Sequence, residues 1–276
     1  DPVDRLTTAA VRISADQLAE RVSVSNPADE LGRLAAAFNA MLERLQRSFQ
    51  EMRQFTADAA HELRTPLAVL RSEADVALHS LRTPAEYQQV LANQLDEIDR
   101  MTRMVDQLLF LSREEASAET PAAAPVSMRG FLEELVDDLQ PLAHERGLSL
   151  ECAPLPACQV AIDADRLRRL FCNVLDNALK YTPTGGHVSV SGACRTQSVE
   201  IIVADDGSGV AEADMPHLFR RFYRAAAVRG DAPGSGLGLA ICDAIVKRHG
   251  GRISLESAPG RGTRVSVILP TTVAGA

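Results

Sequence analysis

The chain has 276 residues, of which 46% are hydrophobic and 24% are charged, and its formal net charge is −8. This composition indicates a globular protein rather than a disordered one, and the length suffices for two or three domains. The basic residues form no long block, so nucleic acid is not expected as a partner. No run of about 18 apolar residues is present, so the sequence predicts no membrane-spanning helix within it.

The cysteines are scattered without the spacing of metal ligands: Cys152, Cys158, Cys172, Cys194 and Cys242. Their odd number favours a reducing compartment over a disulfide framework. The start, Asp1-Pro2-Val3, does not look like a native initiator end, and no signal peptide is visible. These features predict a soluble fragment of a longer protein.

The first predicted element of substance is a helix with a coiled-coil seam. Its apolar residues recur at steps of three and four: Leu31, Leu34, Phe38, Met41, Leu45, Phe49 and Met52. Two consecutive steps of four resemble a stutter, where supercoiling relaxes locally. A shorter helical stretch, Val3 to about Leu18, and a connector, Ser23 to Asp29, precede the seam. The pattern alone predicts a dimerising pair of helices.

The same helix continues into the run His61-Glu62-Leu63-Arg64-Thr65-Pro66-Leu67. A neutral imidazole is a nucleophile, and the neighbouring carboxylate of Glu62 can orient the ring or accept its proton. Thr65 shares the His61 face of a helix, and Pro66 should kink that helix. A zinc site of the His-Glu-x-x-His type is excluded because position 65 is Thr. The local sequence fits an ordinary surface or core histidine equally well.

After a turn near Leu81, the run Thr83-Pro84-Ala85-Glu86 predicts a capped helix start. Apolar residues follow at helical spacing: Tyr87, Leu91, Leu95, Ile98, Met101, Val105, Leu108 and Leu111. Two helices with one apolar stripe each cannot bury both stripes alone, so a four-helix bundle made by two chains is expected. Residues 113–127 have few large apolar groups and predict an interdomain linker.

Beyond the linker the pattern changes to mixed helix and strand. Helices are predicted near residues 128–146, 163–181 and 236–249, and strands near residues 186–194, 198–205, 252–257 and 263–269. Neighbouring strands around short turns favour an antiparallel or mixed sheet with helices on one face.

Two motifs in this half carry polar groups suited to a nucleotide. Asn173 and Asn177 are one helical turn apart, so both amide oxygens can face one Mg²⁺, and Lys180 can reach phosphate. The run Asp205-Asp206-Gly207-Ser208-Gly209 follows an apolar strand. Its first carboxylate can accept a hydrogen bond from an exocyclic amine such as that of adenine, while the glycines let the backbone pass close to a base.

Two further motifs suit phosphate. In Phe219-Arg220-Arg221-Phe222-Tyr223-Arg224, the aromatic rings can pin a loop while guanidinium groups point at phosphate. The run Gly234-Ser235-Gly236-Leu237-Gly238 precedes a helix and exposes backbone N–H groups. It has neither the Gly-Lys-Ser/Thr of a Walker loop nor the glycine spacing of a dinucleotide fingerprint. Taken singly, each motif also fits an ordinary exposed or packed turn.

Together these features resemble a known family. The stretch from Phe55 to Leu67 resembles the phospho-acceptor box of sensor histidine kinases, with Ala60 where Ser is common. The helix, connector, Asp29-Glu30-Leu31-Gly32 and second helix resemble a HAMP linker, a parallel dimeric relay found just inside bacterial membranes. The four later motifs, in this order, resemble the Bergerat ATP-binding fold of histidine kinases, gyrase B, heat-shock protein 90 chaperones and MutL.

The resemblance implies a multidomain fold class, an all-α HAMP region and dimeric four-helix bundle followed by an α+β Bergerat-fold two-layer sandwich. The implied domains are a HAMP linker at 1–50, a dimerisation and phosphotransfer hairpin at 51–112, a linker at 113–127 and an ATP-binding domain at 128–276. The chain would be the cytoplasmic portion of a bacterial inner-membrane protein, joined to the membrane through a missing N-terminal segment.

Carried over to this sequence, the resemblance makes ATP the nucleotide and Mg²⁺ the metal ion. Asn173 and Asn177 become the Mg²⁺ side, Lys180 a phosphate contact, Tyr181 a pocket wall and Asp205 the adenine acceptor. The other implied nucleotide contacts are Gly207, Gly209, Gly234, Gly236, Leu237 and Gly238. The segment from Ala225 to Pro233 becomes a flexible ATP lid.

The implied function is an ATP-dependent histidine autokinase acting as a homodimer. His61 would attack the γ-phosphoryl group with help from Glu62, while Mg²⁺, Lys180 and Arg221 stabilise the charge. The phosphoryl group would pass to an Asp of a response regulator, and Thr65 would hold the water that later dephosphorylates that regulator. One alternative is an ATPase clamp, but its members usually carry Glu where Asn173 stands. The other is a non-catalytic dimeric scaffold, against which the intact motifs argue.

Overall fold

The computed structural model describes residue 21 and residues 30–80, 83–116, 124–155, 157–225 and 234–272. The predicted first helix, Val3 to about Leu18, and the connector that follows it, Ser23 to Asp29, lie outside these residues. The chain divides into two compact units, residues 1–94 and residues 95–276. No helix in the described ranges is both long and apolar enough to cross a membrane.

The first unit is dominated by one long helix, α1, which spans Glu30–His79 and has 50 residues. The predicted seam and the His61 run therefore share one element. Pro66 lies inside α1 and is buried, and helical structure continues on both sides of it. The kink that was expected at this proline does not end the helix.

The second helix, α2, spans Pro84–Ala116 and begins as the sequence predicts. The Glu86 carboxylate accepts a hydrogen bond from the Thr83 backbone N–H at 2.7 Å, and the Thr83 hydroxyl accepts one from the Glu86 N–H at 3.3 Å. This reciprocal capping box satisfies two N–H groups that a helix start leaves without partners. The predicted turn lies partly at residues 81 and 82, outside the described residues. The helix ends within the segment predicted as a linker.

Several apolar side chains of α1 are exposed in the single chain. Along the predicted seam the exposed fractions run from 42% to 65% for Leu34, Met41, Leu45, Phe49 and Met52. In the part of α2 that belongs to the first unit, Leu91 is 59% exposed. Contiguous apolar surface of this kind is typical of an interaction face.

The second unit contains a five-stranded mixed sheet. Its strands are β2 (Ser149–Cys152), β4 (His187–Cys194), β5 (Ser198–Asp205), β6 (Arg252–Ser257) and β7 (Thr263–Pro270). The spatial order is β2-β4-β5-β7-β6, with β2 parallel to β4 and the other pairs antiparallel. The prediction of an antiparallel or mixed sheet is confirmed.

Three helices cover this sheet: α3 (Met128–Glu145), α4 (Ala164–Tyr181) and α5 (Gly238–Arg248). They start and end within two residues of the predicted bounds. Alternate residues of β5, Val199, Ile201 and Val203, are at most 2% exposed, as a strand with one covered face requires. The predicted fold class, a helical region followed by a sandwich of sheet and helices, is confirmed.

The sequence did not reveal three short strands. Besides β2, these are β1 (Pro125–Ser127) and β3 (Gln159–Ala161), which pair antiparallel in a separate two-stranded sheet. Strands of three or four residues are too short for a period of two to be recognised. Their pairing is decided by partners elsewhere in the chain.

One cysteine pair corrects an expectation. The odd cysteine count argued against disulfide bonds, but Cys158 and Cys194 are joined, with their Cα atoms 6.3 Å apart. They are 36 residues apart in the sequence and come together because the segment before β3 lies near the end of β4. Among the described residues Cys152, Cys172 and Cys242 are unbonded.

Candidate active site

A cavity of about 310 Å³ opens in the second unit, between α4, the end of β5 and the start of α5. Nine predicted site residues line it: Asn173, Asn177, Lys180, Tyr181, Asp205, Gly209, Gly234, Gly236 and Gly238. Gly207 and Leu237 do not line it but are adjacent in sequence to residues that do. The structure thus gathers residues of all four predicted nucleotide motifs around one space, although Arg221, the second arginine of the aromatic and arginine motif, does not line it.

Asp205 lines this cavity, and its two carboxylate oxygens differ in their hydrogen bonds. Its Oδ1 accepts hydrogen bonds from the backbone N–H groups of Gly207 at 2.9 Å and Thr263 at 3.1 Å. Within the described ranges, Oδ2 accepts none. Burial raises the pKa of the Asp205 carboxyl, although these two donors partly offset the rise. The fixed carboxylate can therefore accept a further hydrogen bond from a ligand amine in the cavity.

Gly209 shows why the motif after Asp205 contains glycine. Its φ is +67°, and an added Cβ would lie 1.9 Å from the carbonyl oxygen of Ala258. Any side chain at this position would clash with backbone in a conformation that L residues rarely adopt. The close approach at Gly209 is to protein backbone, and the predicted approach to a nucleotide base stays a prediction.

Helix α4 supplies polar side chains to the cavity wall. The helix begins at the Asp163 cap, whose carboxylate accepts from the N–H groups of Asp165 and Arg166. Asn173 and Asn177 then follow one turn apart, and both line the cavity. A Cβ at position 238 would lie 3.3 Å from Asn173 Oδ1, so Gly238 leaves this amide room.

The amide oxygens of Asn173 and Asn177 are suited to Mg²⁺ only when phosphate oxygens bind the same ion. No cluster of three or more His, Cys, Asp or Glu side chains that could hold a metal occurs in the described part of the chain. Two neutral amide oxygens alone bind a divalent cation weakly. Mg²⁺ is commonly held by one or two protein groups plus waters and substrate phosphates. Asn173 and Asn177 are suited to such a shared ion.

The glycine-rich segment leads into α5. Gly236 has a φ of +69°, and an added Cβ would meet the Phe222 backbone at 2.6 Å. The Ser235 hydroxyl accepts from the Leu237 N–H at 3.3 Å, and α5 begins at the next residue, Gly238. The start of a helix presents unpaired N–H groups that favour an anion. Of the predicted lid, residues 226–233 lie outside the described residues, while Ala225 is buried.

The aromatic and arginine motif pins a loop, as predicted. The Tyr223 hydroxyl donates to Asp214, and the His217 and Tyr223 rings lie 5.4 Å apart. Arg221, however, forms an ion pair with Glu115 of α2 and does not line the cavity. Arg224, from the same motif, does line it.

His61, Glu62 and Thr65 belong to the first unit. His61 and Thr65 are exposed on α1, and the Thr65 hydroxyl donates to the His61 backbone carbonyl at 3.5 Å. Consecutive helical residues point about 100° apart. Accordingly, no hydrogen bond joins Glu62 to the His61 ring within the described residues, and the assisting role of Glu62 stays a prediction.

Sequence reasoning missed several cavity residues, among them Gln107, Leu218, Arg224 and Thr263. Arg224 is the last residue of the aromatic and arginine motif. Thr263 acts through its backbone N–H, which no sequence pattern distinguishes. Gln107 is an ordinary polar residue on α2, and only the fold brings it to the cavity.

Comparison with family models matches three regions of the chain. Residues 1–54 match the HAMP domain, residues 51–117 match the His kinase A phospho-acceptor domain, and residues 162–273 match the histidine kinase-, DNA gyrase B- and HSP90-like ATPase. The three matches follow one another in this order.

A similar curated relative is the signal transduction histidine-protein kinase BaeS of Escherichia coli strain K12. It is 38% identical over 272 residues, which is 98% of this chain and 57% of BaeS. The chain therefore spans little more than half the length of this relative.

Solved structures of histidine kinases are also similar. Full-length ShkA in complex with AMPPNP has a TM-score of 0.61 and 28% identity, covering 81% of this chain and 47% of ShkA. ThkA in complex with the response regulator protein TrrA has a TM-score of 0.67, covering 84% of this chain and 65% of that chain. At 19% identity, the ThkA similarity shows the fold alone.

Proposed function

Because this chain belongs to the HAMP-containing sensor histidine kinases, we propose that it is an ATP-dependent protein histidine autokinase that phosphorylates His61. One observation carries the proposal. The residues predicted to bind a nucleotide surround one cavity, while His61 is exposed on a helix that matches the phospho-acceptor family. An accessible nucleophile and a nucleotide site are the two parts that a phosphotransferase requires.

ATP is the proposed substrate of the cavity. Asp205 Oδ2 would accept from the adenine amine, and Tyr181 would form a wall beside the base. Lys180 and Arg224 line the cavity and can neutralise phosphate charge. Asn173 and Asn177 would hold Mg²⁺, which supplies charge neutralisation at the phosphate oxygens when bound. The AMPPNP complex of ShkA supports a nucleotide in this fold.

The transfer step exchanges one bond to phosphorus for another. A ring nitrogen of His61 forms a bond to the γ-phosphorus, while the bond between that phosphorus and the bridging oxygen breaks and leaves its electron pair on ADP. The ring proton passes to Glu62 or to water. Lys180 stabilises charge during this transfer, and Arg221 can contribute once its ion pair with Glu115 opens.

The partners of the whole protein are also proposals. The exposed seam of α1 supports a parallel homodimer held by residues 31–111. The phosphoryl group would pass to an Asp of a response regulator, a type of partner that ThkA binds in its solved complex. We further propose the domain limits predicted above, dephosphorylation of the regulator with help from Thr65, and a membrane anchor outside this sequence.

Labelling with γ-labelled ATP and Mg²⁺ tests the assignment of His61. Wild type should acquire an acid-labile, alkali-stable label, and His61→Gln should acquire none while still binding nucleotide. His79→Gln is the matched control, because His79 is an exposed histidine at the end of the same helix. Normal labelling of His61→Gln would refute the assignment. Hydrolysis of ATP without any label on wild type would instead favour the ATPase clamp.

A further inference from the structure

The C-terminal part of α2 belongs to the same compact unit as the nucleotide cavity. None of the four nucleotide motifs lies on this helix. Nevertheless, Gln107 of α2 lines the cavity, about 66 residues before the first motif begins at Asn173. The question is what Gln107 does in the wall of this cavity, since it comes from a distant element.

Gln107 makes a specific contact with the glycine-rich segment. Its side-chain oxygen Oε1 accepts a hydrogen bond from the Ser235 hydroxyl at 2.7 Å. The same hydroxyl accepts from the Leu237 backbone N–H at 3.3 Å. Both the proton and a lone pair of Ser235 are therefore used, which orients the segment just before the first turn of α5.

Buried charge holds this part of α2 in place. The side chain of Glu114 is 1% exposed and pairs with Arg166 Nε at 2.8 Å and with Arg248 Nη1 at 3.3 Å. Arg166 lies in the first turn of α4 and Arg248 ends α5, so one carboxylate joins α2 to both helices that frame the cavity. A buried charge is tolerated only while its partners remain close.

A ring contact reinforces the Glu114 cluster, which consists of Glu114, Arg166 and Arg248. The guanidinium carbon of Arg169 lies 4.1 Å from the centroid of the Phe110 ring, within the range of a cation–π interaction. Phe110 lies between Gln107 and Glu114 on α2. Contacts on either side of Phe110 therefore fix the same stretch of helix against the nucleotide-binding domain.

We propose that Gln107 is a positioning residue of the nucleotide site and that the Glu114 cluster holds it there. Gln107 fixes Ser235, and Ser235 fixes the backbone N–H groups at the start of α5 that face the phosphate groups. A binding site arranged in advance loses less freedom when the ligand binds. Nucleotide affinity then depends on α2 as well as on the four motifs. The inference rests on the proposed function of the cavity as an ATP site.

A double-mutant cycle on the full chain tests this inference, with the dissociation constant of Mg²⁺-ADP measured by titration calorimetry. Gln107→Ala and Ser235→Ala should each weaken binding by about threefold to tenfold, the range expected for one hydrogen bond. The double variant should be no weaker than the weaker single variant, since both remove the same contact. Unchanged affinity in Gln107→Ala, or effects that multiply in the double variant, would overturn the proposal.

The Glu114 cluster is tested by Glu114→Gln, which keeps the shape but removes the charge. The Glu114→Gln variant should bind Mg²⁺-ADP more weakly than wild type, as Gln107→Ala does, whereas Glu97→Gln should bind it like wild type. Glu97 is the matched control because it pairs with Arg100 at 3.2 Å on the same helix. Thermal denaturation checks that each variant is folded. Wild-type affinity in a folded Glu114→Gln variant would overturn the role of the cluster.

Failure of the proposed function gives a different result. If Asp205→Asn binds Mg²⁺-ADP as tightly as wild type, the cavity is not the adenine site and the proposed function fails. If Asp205→Asn loses binding while Gln107→Ala does not, only the inference about α2 fails.

Discussion

The two units bury their apolar side chains in different ways. In α1, Leu34 is 57% and Met52 65% exposed, whereas Phe171 and Ile201 of the nucleotide-binding unit are 0% exposed. The nucleotide-binding unit therefore has its own core, although its α2 segment also exposes apolar side chains, with Leu95 at 62% and Leu109 at 52%. The helical unit presents apolar surface that only another surface can cover. One chain thus combines a domain that has its own core with a helical region whose stability depends on association.

The largest expected effect is on the core of the nucleotide-binding unit. Phe171 is fully buried in α4, with its ring centroid 6.3 Å from that of Phe131. Phe171→Ala should lower the free energy of unfolding by about 3–5 kcal/mol. Urea unfolding at two protein concentrations measures this, and the loss should be the same at both. Ser254→Ala, at an exposed position of β6, is the control and should change stability by less than about 0.5 kcal/mol.

The next largest effect is expected for the seam of α1, where a substitution should change the dimer dissociation constant. Leu45→Glu places a charge on the predicted interface in both chains, and should raise the dimer dissociation constant by roughly a hundredfold, or about 3 kcal/mol. Sedimentation velocity over a concentration series measures it. Ala40→Glu adds the same charge at an exposed position outside the seam and should leave association unchanged. A wild-type chain that stays monomeric at micromolar concentration would remove the difference between the two units.

The sequence predicts local elements and motifs well, but it does not predict contacts between distant segments. Long periodic elements were predictable, since β5 matches its predicted bounds of 198–205 and the Thr83 cap forms as expected. The nucleotide motifs were predictable because each combines side chains with local backbone requirements. Contacts between distant segments were not, because Gln107 and the Cys158–Cys194 pair acquire their roles only from the fold. The spacing of apolar residues predicts that the seam of α1 is an interface, but the surface that covers the seam is not part of a single chain.

Within the nucleotide-binding unit, Asp205→Asn should weaken nucleotide binding by about tenfold to a hundredfold. The amide keeps one acceptor but replaces the carboxylate charge, and a hydrogen bond to a charged group contributes about 1.5–3 kcal/mol. Calorimetry with Mg²⁺-ADP measures the change. Asp206→Asn is the matched neighbour, because Asp206 does not line the cavity and its Oδ1 accepts from the His187 N–H at 2.7 Å. Equal affinities of the two variants would contradict the assignment.

The pH dependence of binding sharpens this prediction. Burial raises the pKa of Asp205 in the nucleotide-free protein, and a bound amine would stabilise the ionised form. Nucleotide affinity should therefore fall as the pH is lowered through this raised pKa, and binding should release protons in that range. The same carboxylate costs folding stability when ionised, a cost that disappears as the pH falls. The Asp205→Asn variant should lack this component of the pH profile.

The smallest expected effect is on autophosphorylation in the Thr65→Ala variant. The Thr65 hydroxyl makes only a long bond, 3.5 Å, to the His61 carbonyl, and Ala is the better helix former, so α1 should be preserved. A hydroxyl one turn from His61 can hold a water but does not have to contact ATP. Autophosphorylation should stay within about tenfold of wild type, roughly 1.4 kcal/mol of barrier, while dephosphorylation of the cognate regulator slows much more. Thr56→Ala is the control, because the Thr56 hydroxyl makes the equivalent bond at 2.9 Å to the carbonyl of a methionine, Met52, instead of a histidine. If wild type has phosphatase activity and both variants retain it fully, Thr65 takes no part in dephosphorylation. His61 is then the one residue of the His61–Thr65 pair that acts chemically.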